Sequence, residues 1–358
     1  MRKLASVQVI WNVEPIEGAD RIELVHVLGW QCVANKGQFK KGDVGVYFEI
    51  DSFLPIREEF EFLRASSYKK TDIMGEGFRL RTQKFRGQLS QGLVLPLSVF
   101  PEIPADTPVG TSVAEQLGVI KWEIEERATT GGTVAGVLPA CVPHTDETRV
   151  QNEPDLLQEF AGLEYYITTK MDGSSHSIAI DEDGMHVTGH NFEYKDDGSS
   201  AFYEFVKKTG ILERVKTLHD IVRDRHWFCD DGEELESLVV QGEFCAPGIQ
   251  RNRLKLTKPE WYVFTIIVNG NRLGMKDMVM LCDAASLTYV PIDEVDTDLP
   301  SKYPTVEAIL ERADGQYPNG GPNEGLVIRP TVPVISKTIG TWLSMKAINN
   351  KYLLKNKE

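Results

Sequence analysis

The sequence predicts a two-domain α+β protein, a small β-barrel followed by a larger domain of strands and helices. Three observations lead there. Residues 4 to 100 carry short β-prone runs separated by Gly, Asp and Pro turn signals, the spacing of a small barrel. After residue 150, longer β-branched and aromatic runs recur with polar or charged residues at their ends. Between them, Phe202, Phe205, Val206, Leu212, Val215, Leu218 and Val222 recur at near-helical spacing over residues 201–224, with a break at Thr209-Gly210. A length of 358 residues with 41% hydrophobic side chains suffices for two packed cores.

The first domain, residues 1–100, has strands expected at Val7–Val13, Ile22–Leu28, Gln31–Ala34, Gly45–Ile50, Phe78–Leu80 and Gly92–Pro96. The start of the chain is basic and then apolar, but Glu14 and Glu17 follow with no small-residue cleavage site, so it reads as a strand. Residues 101–148 are rich in Pro, Gly and Thr and read as a linker, with one helix expected near Ser112–Gly118. The second domain spans residues 149–358. It opens with an amphipathic stretch, Asp155–Phe160, whose aspartate suits a helix N-terminus. Residues 164–170 then form a strand ending on Lys170, turned by Asp172-Gly173. A hairpin, Ser175–Ile180 with Met185–Thr188, precedes the helical segment.

No apolar run approaches the ~20 residues of a membrane-spanning helix, so no membrane partner is expected. Five widely spaced cysteines without any Cys-x-x-Cys imply a reducing intracellular compartment, cytoplasm or nucleus, and no structural zinc. His186 and His190 have metal-like spacing but no cysteine partners, which favours solvated or core histidines. A net charge of −14 argues against a simple nucleic-acid coat. Two local clusters stand out, Lys69, Lys70, Arg79, Arg81, Lys84 and Arg86, and Arg251, Arg253, Lys255 and Lys258; each is either a solvated face or a phosphate contact.

A lysine at a strand end is a usable nucleophile once its proton is removed, which calls for desolvation, a neighbouring cation or a bound metal. Taken alone, Lys170-Met-Asp172-Gly173 is equally an exposed lysine before a turn. It is followed in order by Val239–Phe244 carrying Glu243, Trp261–Ile267 with Phe264 in its middle, Glu324 opening the strand Gly325–Arg329, and Trp342–Lys346. In this order the motifs resemble the covalent nucleotidyltransferase superfamily of DNA ligases, RNA ligases and mRNA capping enzymes over residues 150–350. The phrases Gly18–Gly29 and Lys41–Tyr47 resemble the OB-fold of tRNA-binding and RNA-ligase N-terminal domains, and Arg81–Gly92 is similar to an element of OB-domain RNA ligases.

The resemblance implies an OB-type barrel joined to a ligase-type nucleotidyltransferase domain of antiparallel sheets with flanking helices. It implies Lys170 as the nucleophile on the ATP α-phosphorus, Lys346 on the α-phosphate, and Phe264 stacked on the purine. Glu243 and Glu324, expected on adjacent strands, would bind ribose or hold Mg²⁺ or Mn²⁺ through water, and Asp172 would contact a metal-bound water. Thr168 and Thr169 stand where many ligases have glutamate, so base recognition would use backbone and hydroxyls. Arg149 either reaches the phosphates or makes a surface ion pair; His190 replaces a usual arginine, and Ser344 replaces the first lysine of the last motif, whose contact either comes from Lys337 or is absent. Lys84 and Arg86 would grip the RNA backbone; Phe39, Tyr47 and Phe48 are either base-stacking or core.

Because the sequence ends twelve residues beyond Lys346, no C-terminal OB domain is expected. That arrangement resembles the ATP-dependent RNA ligases of the Naegleria and Deinococcus type. The expectation is a monomeric enzyme joining RNA 3′-hydroxyl and 5′-phosphate ends, at nicks in duplex, through lysyl-AMP and adenylylated RNA. The alternatives are a DNA ligase or GTP-using guanylyltransferase, or a non-catalytic RNA-binding protein; the intact Lys170, Asp172, Glu243, Glu324 and Lys346 set argues against the last.

Overall fold

The structure, a computed structural model, describes residues 2–122, 132–225 and 234–355. Cys229 and residues 123–131 of the expected linker lie outside the described residues. The chain divides into two compact units. The first is residues 1–124 with Gln151–Pro154 and the C-terminal residues from 353 onward, and the second is residues 125–150 and 155–352.

In the first unit the strands are β1 (Ala5–Pro15), β2 (Ile22–Val27), β3 (Trp30–Asn35), β4 (Val44–Phe48), β5 (Ser52–Pro55), β6 (Tyr68–Thr71), β7 (Gly75–Arg79), β8 (Thr82–Phe85), β9 (Gln88–Gln91), β10 (Leu93–Pro96) and β11 (Ile120–Lys121). They form sheets ordered β10-β4-β1-β2-β3 and β11-β5-β7-β6, with β8 and β9 a separate hairpin. Every pairing is antiparallel, so short turns suffice. β1 is central because it serves two cores. Ala5 and Val7 pack with Phe48, Phe60, Phe78 and Phe100, while Ile10 packs with Trp30, Phe39, Tyr47 and Ile50. Phe39, Tyr47 and Phe48 are therefore core residues.

Residues 101–121 differ from a linker. Ile103, Val113, Leu117 and Val119 complete the Phe48–Phe60–Phe100 core, and β11 extends the sheet of β5. Their polar and Pro-rich composition hid four apolar anchors. Residues 112–118 form hydrogen-bonded turns, Leu117 N donating to Val113 O and Val119 N to Ala114 O, and not the expected helix.

The second unit holds β12 (Val134–Val137), β13 (Glu164–Lys170), β14 (Ser174–Asp181), β15 (Gly184–Thr188), β16 (Phe192–Tyr194), β17 (Leu238–Cys245), β18 (Glu260–Val268), β19 (Asn271–Arg272), β20 (Ile292–Thr297), β21 (Gly325–Pro330) and β22 (Met345–Ile348). One sheet is ordered β12-β16-β15-β14-β17-β18-β19 and the other β20-β13-β21-β22. Helices Ala201–Lys208 and Ile211–Arg225 cover the first sheet: Phe202, Val206, Val215, Leu218 and Val222 meet Ile178, Val240 and Phe244. The break falls at Thr209-Gly210 because Gly210 takes φ +71°. Under the second sheet, Tyr165 and Ile167 of β13 pack with Leu156, Phe160, Ile328 and Met345; Leu156 and Phe160 come from a 3₁₀ helix, Pro154–Phe160. Among the described residues, no helix is long and apolar enough to cross a membrane.

Candidate active site

β13 is a central strand, paired with β20 as far as Thr168 and with β21 through its last residue, Lys170. Lys170 lies opposite Gly325, and this glycine is required: a Cβ there would sit 2.1 Å from the carbonyl of Ala347. Gly173 in the following turn is equally constrained, since a Cβ would meet the Phe244 carbonyl at 2.4 Å. The turn thus presses against β17 of the other sheet, and Gly173 N donates to Glu243 Oε1 at 3.1 Å.

The two sheets converge on an open cleft with about 720 Å³ of unfilled volume, solvent at its mouth included. Lys170, Glu243, Phe264 and Lys346 line it, together with Thr168 and Thr169. Lys170 Nζ lies 2.6 Å from Glu324 Oε1. Tyr317 braces this pair: its hydroxyl donates to the carbonyl of Lys170 at 2.8 Å and accepts from the Glu324 amide at 3.2 Å. Glu243 and Glu324 are not on adjacent strands as expected. Glu243 belongs to β17 and Glu324 precedes β21, so they approach the lysine from different sheets.

Burial works against the charge of Lys170, but the Glu324 and Glu243 carboxylates outweigh it and hold its pKa above the usual lysine value. The neighbours alone therefore keep the amine protonated, contrary to the expectation of a lowered pKa. Glu243 itself is pushed up to about 8 by burial, with Lys170 opposing the shift and Glu324 adding to it. Lys346 is pushed down to about 8 by burial and by the nearby charges of Lys170 and Arg149. Arg149 reaches Lys346 through backbone pairing, with Val150 N donating to Lys346 O and Lys346 N to Thr148 O.

Asp172 is placed otherwise than expected. It is 3% exposed, and both oxygens are engaged, Oδ2 by Arg253 at 2.6 Å and Oδ1 by the Tyr352 hydroxyl at 2.7 Å. It clamps the turn after Lys170, each of its oxygens accepting one hydrogen bond. Arg253, read as part of a basic cluster, is correspondingly half-buried, stacked 4.2 Å from the Tyr352 ring centroid. Lys337 is not among the residues lining the cleft; its backbone amide donates to Glu159, which caps the turn around Ser336–Thr338.

The first-lysine position of the last motif holds Ser344, which donates to Glu147. Glu147 also takes the guanidinium of Arg329, whose Nη1 donates to Phe264 O and to Thr265 Oγ1 at 3.1 Å. The sequence reading missed this network, which fixes the backbone under Phe264. A usable signal was present, an arginine amid the apolar strand Gly325–Pro330; Glu147 offered none, lying in a stretch read as linker. His190 lines the cleft near Thr145 and 3.5 Å from Asp146. Thr169 Oγ1 donates to Asp293 at 2.7 Å. Lys84 and Arg86 lie in the first unit, exposed at the tip of the β8–β9 hairpin.

The carboxylates of Glu243 and Glu324 are hard oxygen donors suited to Mg²⁺ or Mn²⁺. Among the described residues, no three His, Cys, Asp or Glu side chains converge to hold an ion by themselves. Two carboxylates facing a cleft fit an ion that takes its remaining ligands from water and phosphate oxygens.

The cleft thus brings together a strand-end lysine, carboxylates, a second lysine and an aromatic ring. Residues 163–348 match the RNA ligase family and residues 4–97 an OB-fold domain family. The chain belongs to the RNA ligase family. It is similar over its whole length to Naegleria gruberi RNA ligase with pyrophosphate, at 34% identity and TM-score 0.86, covering 100% of this chain and 99% of that one. Variants of the same ligase with AMP and Mn (34% identity) and with ATP and Mn (33%) each match at TM-score 0.85 over 98% of both chains. No curated protein sequence matches.

Proposed function

We propose that this RNA ligase uses ATP and a divalent cation to join an RNA 3′-hydroxyl to a 5′-phosphate, working as a monomer on nicked duplex in a reducing intracellular compartment. The observation that carries the reading is Lys170 Nζ, 2.6 Å from Glu324 in a cleft that also presents Lys346 and Phe264. The Naegleria gruberi ligase, similar end to end, has been captured with ATP and with AMP.

In the first step Lys170 Nζ, having lost its proton, attacks the α-phosphorus. A P–N bond forms, the bond to the bridging oxygen breaks, and pyrophosphate leaves. Glu324 is in contact with the amine and holds it in one orientation. Lys346 faces the phosphates as a cation, its protonation restored by their negative charge. Phe264, its backbone fixed by Arg329, offers a ring face to the adenine. Glu243 and Glu324 would hold a divalent cation, which would supply countercharge to the triphosphate and lower the proton affinity of Lys170. In the second step an RNA 5′-phosphate oxygen attacks the phosphoramidate phosphorus and Lys170 is released. In the third the 3′-hydroxyl attacks the activated 5′-phosphate and AMP departs. Lys84 and Arg86 offer charge to the RNA backbone.

Incubation with α-labelled ATP or GTP and Mg²⁺ or Mn²⁺ tests the proposal. Covalent label from ATP, absent in Lys170→Ala, is expected. Label from GTP alone would make the protein a guanylyltransferase, and no label would favour a binding protein.

A further inference from the structure

The geometry points to Phe85 as a base-stacking platform, at the tip of the β8–β9 hairpin, that receives an unpaired base of the RNA while Lys84 and Arg86 take the adjoining phosphates. This inference rests on the RNA-ligase reading and adds a residue and a contact type to it. Phe85 is 41% exposed and belongs to none of the hydrophobic clusters among the described residues. A lone exposed aromatic is unremarkable by itself. This one sits between two exposed cations, and none of the ion pairs among the described residues involves Lys84 or Arg86. In a chain of net charge −14, where acidic partners abound, two unpaired cations beside an exposed ring favour a polyanion that carries aromatic faces.

The hairpin also has the rigidity a stacking platform needs. Its two turn residues both take left-handed backbone, Arg86 at φ 51° and Gly87 at φ 87°, the tight two-residue connection that suits the twist of paired strands. Its base is tied to the sheet: Gln31 Nε2 donates to Leu89 O at 2.9 Å, Val33 N to Ser90 Oγ at 3.0 Å, and the Tyr47 hydroxyl to Gln91 O at 2.9 Å. Cross-strand pairing puts Gln83 opposite Ser90, Lys84 opposite Leu89 and Phe85 opposite Gln88. Side chains alternate along a strand, so Phe85 shares its face with Gln83 and Gln88, and Lys84 projects from the other. One face therefore combines a ring with two amides able to pair with base edges. The opposite face and the turn carry the charges.

The test uses the full-length protein and a fluorescent, 5′-phosphorylated single-stranded oligoribonucleotide, with binding measured over a range of salt, and an abasic version of the same strand. Phe85→Ala should weaken binding to the normal strand on the order of 10-fold, as loss of a base–aromatic stack does, and leave the salt slope unchanged. Phe85→Trp should restore it. The abasic strand should bind wild type and Phe85→Ala alike. In contrast, Lys84→Ala with Arg86→Ala should flatten the salt dependence. Thermal melting checks that Phe85→Ala is folded. Binding of the normal strand within twofold of wild type, or an equal loss on the abasic strand, overturns the stacking role. Labelling with ATP separates the two readings: absence of lysyl-AMP in wild type would defeat the ligase assignment, whereas normal labelling with no effect of Phe85→Ala on RNA would defeat the platform alone.

Discussion

Asp172→Ala should cost folding stability as well as activity, because Asp172 lies between two buried partners. Its carboxylate takes Arg253 at 2.6 Å and the Tyr352 hydroxyl at 2.7 Å, and the Asp172 and Arg253 side chains are only 2% and 11% exposed. Removing one member of a buried pair leaves the other charge unsolvated, a loss of roughly 3–5 kcal/mol, which for a unit of this size lowers the melting temperature by roughly 6–20 °C. Tyr352→Phe, which removes one hydrogen bond to a charged group, should cost less, about 1.5–3 kcal/mol. Arg253→Met in the Asp172→Ala background should recover part of the loss, since no guanidinium is then stranded. The assay is thermal and urea unfolding of the four proteins beside their rates of label transfer from ATP. Should Asp172→Ala melt within about 2 °C of wild type yet fail to label, the clamp would be unimportant for stability. Asp172 would then act in the chemistry, as the sequence resemblance implies.

Lys170→Ala should abolish label transfer and sealing of 5′-phosphate ends yet still join a pre-adenylylated strand, which needs no lysine nucleophile; sealing assays on both substrates check this. Glu243→Ala and Glu324→Ala should depress adenylation strongly while leaving the unfolding transition nearly in place, because cleft carboxylates contribute chemistry more than core packing. Glu324 raises the pKa of Lys170, so Glu324→Gln should move the ascending limb of the adenylation pH profile, where Lys170 loses its proton, to lower pH, as measured by single-turnover labelling. Because burial disfavours its charged form, Lys346, whose pKa is pushed from 10.5 down to about 8, makes the fold less stable as pH falls from the first value to the second, the loss being complete below about 8. At pH 8 pyrophosphate binding should therefore take up a proton, and calorimetry in two buffers of different ionisation enthalpy should show that uptake in wild type and its loss in Lys346→Met.

The sequence by itself determined the elements that local chemistry controls. The run of β-branched and aromatic residues before Lys170, the Asp-Gly turn after it, the strands of Glu243 and Phe264, and the two helices broken at Gly210 were legible because periodicity and turn residues act over a few positions. The order of motifs along the chain singled out Lys170, Glu243 and Lys346, which line the cleft, and Glu324, which contacts Lys170. Tertiary structure decided what depends on groups far apart in sequence. Glu243 and Glu324 reach Lys170 from different sheets, an arrangement set by strand pairing and close packing around Gly173 and Gly325. Asp172 turned away toward Arg253, eighty-one residues on, and Tyr352, because a buried carboxylate must find donors and the nearest were supplied by distant segments. The same demand gathered Glu147, Arg329 and Ser344 beneath the cleft. Residues 101–121 were drawn into the first core by four apolar side chains spread through a polar stretch. Burial and charge pairing are properties of the assembled surroundings, so a motif can single out Lys170 while only the packed fold decides which charges surround its amine.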